Sequence, residues 1–168
     1  MRIIADLCTH EQPRRGAGGV AAYAASAMAQ GLEAVAVVAR APIPPAFSRA
    51  VRDVDLRAPA TRVLAGVACR IGSAAGDLNV PRDVYAGFDV VLAGPHPAPR
   101  IRLLAGIRRS GSASEAISAA VYRHEIDILT DVYGPDVDPA KVARACRERG
   151  VALELRARGP LPPVEFVR

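Results

Sequence analysis

The stretch Ile3-Ile4-Ala5-Asp6-Leu7-Cys8-Thr9-His10 decides how the rest of the chain is read. An apolar run gives way to an acid, a thiol, a hydroxyl and an imidazole, the pattern of a β-strand ending in metal-ligating side chains. Side chains two apart on an extended segment point the same way, so Cys8 and His10 are expected to face one site together. A thiolate and an imidazole are both competent zinc ligands. What the chain does then depends on the groups at the ends of its other strands.

Short apolar runs alternate with amphipathic stretches along the sequence. Strands are expected at 3–7, 34–38, 62–67, 88–93, 126–129 and 151–155. A helix is expected from about 19 to 30, with Val20, Tyr23, Ala24, Ala27 and Met28 on one face and Gly31 as its stop. A short helix follows near 81–86. Ser112 and Glu115 have capping-box spacing ahead of inward-facing Ile117, Ala120 and Val121. Asp138 reads as an N-cap, Pro139 as the first helical residue and Gly150 as the residue past the end. Val142 and Cys146, four apart, place Cys146 in the core rather than at a metal. The segment 41–60, with its prolines and arginines, is expected to be irregular. Gly16, Gly18 and Gly19 are expected to form a turn, and His124 to lie at a helix end.

Apolar strands separated by helices imply a parallel sheet covered on both faces. A chain of 168 residues with 51% hydrophobic content is expected to form a single globular domain, here 1–158 with a surface tail at 159–168. No apolar stretch approaches the roughly 20 residues of a membrane span, and the N-terminus has no secretory pattern. Three scattered cysteines without a CxxC fit a reduced, cytoplasmic setting, and no membrane partner is expected. The net charge of +5 comes almost wholly from arginine, Lys141 being the single lysine. The densest basic segment, Arg100, Arg102, Arg108 and Arg109, has no interleaved aromatic, unlike single-strand nucleic-acid binders.

In parallel α/β folds, functional groups collect where strands end. Those positions are Cys8 and His10, then Ala39 and Arg40, Ala68 and Cys69, His96, and Thr130 and Asp131; Glu154 falls within the sixth strand. Cys8, His10, His96 and Asp131 are the metal-ligand candidates that could converge there.

The same segments resemble the polymerase-and-histidinol-phosphatase (PHP) superfamily of metal-dependent phosphoesterases. Met1 to His10 is similar to the family's opening strand and its Asp-x-His-x-His motif, with Cys8 in place of the first histidine. Gly31 to Arg40 is similar to a second strand that ends Thr-Asp-His, and Arg62 to Ala68 to a third that ends Gly-Val-Glu. Phe88 to His96 keeps the fourth strand and its histidine. Ile126 to Asp131 resembles a segment ending His-Pro, with Asp131 in the histidine's place, and Gly150-Val151-Ala152-Leu153-Glu154 matches a common family run. The resemblance implies an α/β fold: a distorted, incomplete TIM-like (β/α) barrel of about six to seven parallel strands, with metals at its carboxyl-terminal mouth.

The departures from that pattern bear on activity. Gly16, Arg40 and Ala68 stand where the family has two histidines and a glutamate, and its closing Asp-x-His has no counterpart before Arg168. Multi-metal hydrolysis needs ions held a few ångströms apart. Losing a bridging carboxylate and adding a guanidinium opposes that. The resemblance therefore implies a degenerate, weak or inactive phosphoesterase that acts by binding a phosphorylated small molecule or a partner. One alternative is a phosphate monoesterase using one zinc or manganese on Cys8, His10, His96 and Asp131, with Arg40 and Asp131 as catalytic groups. Another is an RNA-associated subunit similar to ribonuclease P barrel proteins. An unclosed barrel edge would also invite homo-oligomers.

Overall fold

The computed structural model describes residues 5–10, 16–55, 60–95, 113–132 and 137–154. Six strands form one sheet in chain order: β1 (Ala5–His10), β2 (Ala34–Arg40), β3 (Arg62–Arg70), β4 (Val90–Gly94), β5 (Ile128–Leu129) and β6 (Ala152–Leu153). β1, β2 and β3 pair parallel, as do β4, β5 and β6. This is the expected α/β fold, with the strand order of a (β/α) barrel wall. The described residues group into two compact units, Met1–Ala68 with Asp83–Val90, and Cys69–Arg82 with Val91–Arg168.

In the first unit, every residue of β2 from Val35 to Ala39 is buried. A strand covered on both faces has no polar face to alternate with, which is why its sequence is an unbroken apolar run. Helix α1 (Gly16–Ala29) lays Val20, Ala24 and Ala27 on this core. It ends where the Leu32 amide bonds the Ala27 carbonyl and Gly31 takes φ +66. The glycines expected as a turn instead open this helix. Met28, expected on the inner face, is 41% exposed.

The irregular segment expected at 41–60 contains a second helix, α2 (Phe47–Asp55). Phe47 and Val51, one turn apart, are buried, and Phe47 stacks on Phe88 with ring centroids 6.2 Å apart. Two buried side chains outweigh the turn-forming composition around them.

The second unit carries α4 (Ala113–Arg123) and α5 (Pro139–Arg149), which pack on each other. A short helix, α3 (Arg82–Tyr85), precedes β4. Ile117, Ala120 and Val121 are buried with Val142, Ala145 and Cys146, as the helical spacing predicts. Asp138 caps α5 by accepting from the Lys141 amide, and Gly150 closes it at φ 68. The buried Ser114 hydroxyl accepts from the Asp138 amide at 2.6 Å, tying the start of one helix to the other. Tyr122 donates to Glu148 at 2.6 Å across the same pair.

Two aspartates serve the sheet in one way. The Asp89 amide bonds the Ala65 carbonyl at 2.8 Å while its carboxylate accepts from the Ala65 amide at 2.9 Å. Asp127 repeats this on Val91, at 2.9 Å and 2.7 Å. Each acid thus closes both backbone groups of a neighbouring strand residue where ladder pairing begins. Charge-assisted bonds of this kind contribute about 1.5 kcal/mol or more. Asp127→Ala is expected to lower stability by about that amount, with Asp127→Asn losing less. Urea denaturation of the two variants checks this, and equal, negligible losses would contradict it.

Candidate functional site at the strand ends

β1 does not stop before the ligand motif; Cys8 and His10 lie within it, and the strand runs to His10. Its pairing is irregular. Asp6 faces Val35 and Thr9 faces Val37, so three steps along β1 match two along β2. An inserted residue of this kind interrupts side-chain alternation. The irregularity falls at Leu7 and Cys8, ahead of the step from Thr9 to His10, where the register with β2 is regular. The bulge is bound locally, with Asp6 Oδ1 accepting from the Cys8 amide at 3.1 Å and Oδ2 from the Thr9 hydroxyl at 2.8 Å. Cys8 is half-buried, and His10 pairs with Val38.

Arg40 is the last residue of β2 and is exposed. Its register partner is Ala68, so the two positions at which the PHP pattern has a histidine and a glutamate lie side by side on paired strands. Ala68 and Cys69 do not follow β3, as expected from sequence, but lie within it. The apolar run Val63–Val67 understates the strand because small residues extend it to Arg70.

In the second unit, Asp131 follows β5 directly and takes φ 56, a left-handed conformation that costs a residue with a Cβ about 1 kcal/mol. The Thr130 amide bonds the Ala93 carbonyl at 2.8 Å. Glu154, expected inside the sixth strand, is the residue after it, with its amide on the Leu129 carbonyl. The His124 amide bonds the Ala120 carbonyl, consistent with its expected place at a helix end. His96, the arginines at 100–109 and the tail at 159–168 lie outside the described residues.

Among the described residues, no three His, Cys, Asp or Glu side chains converge to hold a metal ion. None of the three cysteines is in a disulfide. Burial pushes the thiols of Cys69 and Cys146 up to about 11, so both are inert core groups.

That burial has a pH consequence. An unfolded thiol ionises near 8.5, whereas these two keep their protons until about 11. Between those values the unfolded chain binds fewer protons than the folded one, so stability falls as pH rises. The contribution is complete below about pH 8.5 and is lost by about pH 11. Denaturation midpoints are expected to decline across that window in the native protein and less steeply in Cys146→Ala. A decline of the same steepness in both proteins would refute this.

No family model matches the chain. Among the described residues, no helix is long and apolar enough to cross a membrane. Over 141 residues the sequence is 35% identical to a protein of Edwardsiella ictaluri (strain 93-146) named "probable phosphatase". The match covers 79% of this chain and 55% of the relative, so the chain spans about half the length of the curated relative it matches.

Proposed function

We propose that the chain is a phosphoesterase-like domain of PHP type with a depleted metal centre, which binds a phosphorylated small molecule and hydrolyses phosphate monoesters slowly or not at all. The observation that carries this reading is the register pair of Arg40, the last residue of β2, with Ala68, near the end of β3. A fixed cation and a methyl group occupy positions where the resemblance has two metal ligands. Like unit charges about 4 Å apart repel by about 4 kcal/mol near a protein surface, and a divalent ion doubles that. The same guanidinium attracts a phosphate and grips two of its oxygens at once. The likeness to a probable phosphatase supports a phosphate ester as the ligand class.

Calorimetry with inorganic phosphate and turnover of p-nitrophenyl phosphate test the proposal together. Phosphate is expected to bind, and Arg40→Ala to weaken it about tenfold, or 1.4 kcal/mol. Turnover is expected to stay near background with or without added zinc or manganese. Rapid metal-dependent turnover, undiminished in Arg40→Ala, would contradict the proposal.

A further inference from the structure

We infer that Asp6 is a positioning residue whose carboxylate holds the β1 bulge and thereby sets where the Cys8 thiol and the His10 backbone lie. The inference rests on the proposal that Arg40, on the neighbouring strand β2, binds a phosphorylated ligand, and it takes the end of β1 to border that ligand. Both oxygens of Asp6 are taken by donors inside the motif, the Cys8 amide at 3.1 Å and the Thr9 hydroxyl at 2.8 Å. Acceptance from the amide two residues on is the turn that short acidic side chains make with their own backbone. It falls where the register slips, between Asp6 opposite Val35 and Thr9 opposite Val37.

Regular pairing would remove the extra residue and pass every later side chain of β1 to the opposite face. The Asp6 clamp opposes that slip. The acid that looks like the first member of a ligand motif therefore acts on its neighbours, with its oxygens turned to the chain. Thr9, between the two candidate ligands, is the other half of the device.

Thiol modification of the native protein by dithionitrobenzoate tests this, because Cys69 and Cys146 are buried and only Cys8 is half-exposed. One thiol is expected to react. In Asp6→Ala and in Thr9→Val the same single thiol should react at least about fivefold faster. Asp6→Asn, which keeps one acceptor oxygen, should fall between. Thr9→Val leaves the Asp6 charge in place, so its effect reports the clamp and not electrostatics. A rate unchanged from the native protein in both Asp6→Ala and Thr9→Val overturns the inference. Modification of all three thiols also overturns it, because the substitution would then have unfolded the protein and not released a local clamp. Inorganic phosphate should slow Cys8 modification in the native protein. Lack of protection would sink phosphate binding at this strand end and leave the variant rates to decide the clamp.

Discussion

Replacing Gly76 by alanine should destabilise the protein by about 2–5 kcal/mol, the sum of a left-handed backbone penalty and an overpacked contact. Gly76 sits at φ +81, and a Cβ there would collide with the amide nitrogen of Ala120 and come within 2.7 Å of the Ala119 carbonyl carbon. Both belong to the backbone of α4, which cannot move aside as a side chain could. The loop has little freedom to retreat. Gly72 donates to the Asp77 carbonyl and Asn79 to the Arg70 carbonyl, while Ile71 bridges Leu78. Arg123 of α4 then holds the loop from outside, bonding the Ala75 carbonyl and pairing with Asp77 at 3.0 Å. The Ser73 hydroxyl, and after it Arg123, hold the Asp77 carboxyl below the ordinary aspartate range. Gly72→Ala is the control, since its Cβ would meet only ordinary contact at 3.7 Å. Chemical denaturation should separate the two variants clearly. Equal midpoints would show that the loop does not pack on α4 as described.

Gly94→Ala should cost about 2–4 kcal/mol, from overpacking plus a lost ladder bond. Gly94 ends β4, and a Cβ there would strike the carbonyl oxygen of Thr130 and lie 2.6 Å from its hydroxyl oxygen. Relief requires β4 and β5 to part, which breaks the bond from the Thr130 amide to the Ala93 carbonyl. Asp131, the next residue, is already held at φ 56. The damage should therefore be local to the end of β5. Hydrogen exchange at the Thr130 amide should quicken more than exchange in α5. Uniform quickening, or none, would contradict this close approach.

The fold was legible because the sheet is buried. Val35 to Ala39 and Val90 to Ala93 read as strands for the same reason that they are strands, namely that both faces must be apolar. The caps at Asp138 and Gly150 were equally plain, since each meets a local backbone need. Helix α2 was missed because its two anchors, Phe47 and Val51, sit among prolines and arginines that score as loop. The site was less legible than the fold. The bulge at Leu7 and Cys8 depends on a neighbouring strand that the sequence does not display. The same limit hid Asp6, Asp89 and Asp127, whose partners are backbone groups that no side-chain pattern marks. That Arg40 and Ala68 stand abreast follows from register, which the resemblance anticipated only as two separate departures.

The metal content of the purified protein tests the central claim most directly. After equilibration with excess zinc or manganese and removal of loosely held ion, elemental analysis is expected to give less than one tightly bound ion per chain. Arg40→Glu, which replaces the guanidinium with a carboxylate beside Ala68, should raise that number. Two or more ions per native chain, held through exhaustive dialysis and matched by phosphatase activity, would contradict a depleted centre.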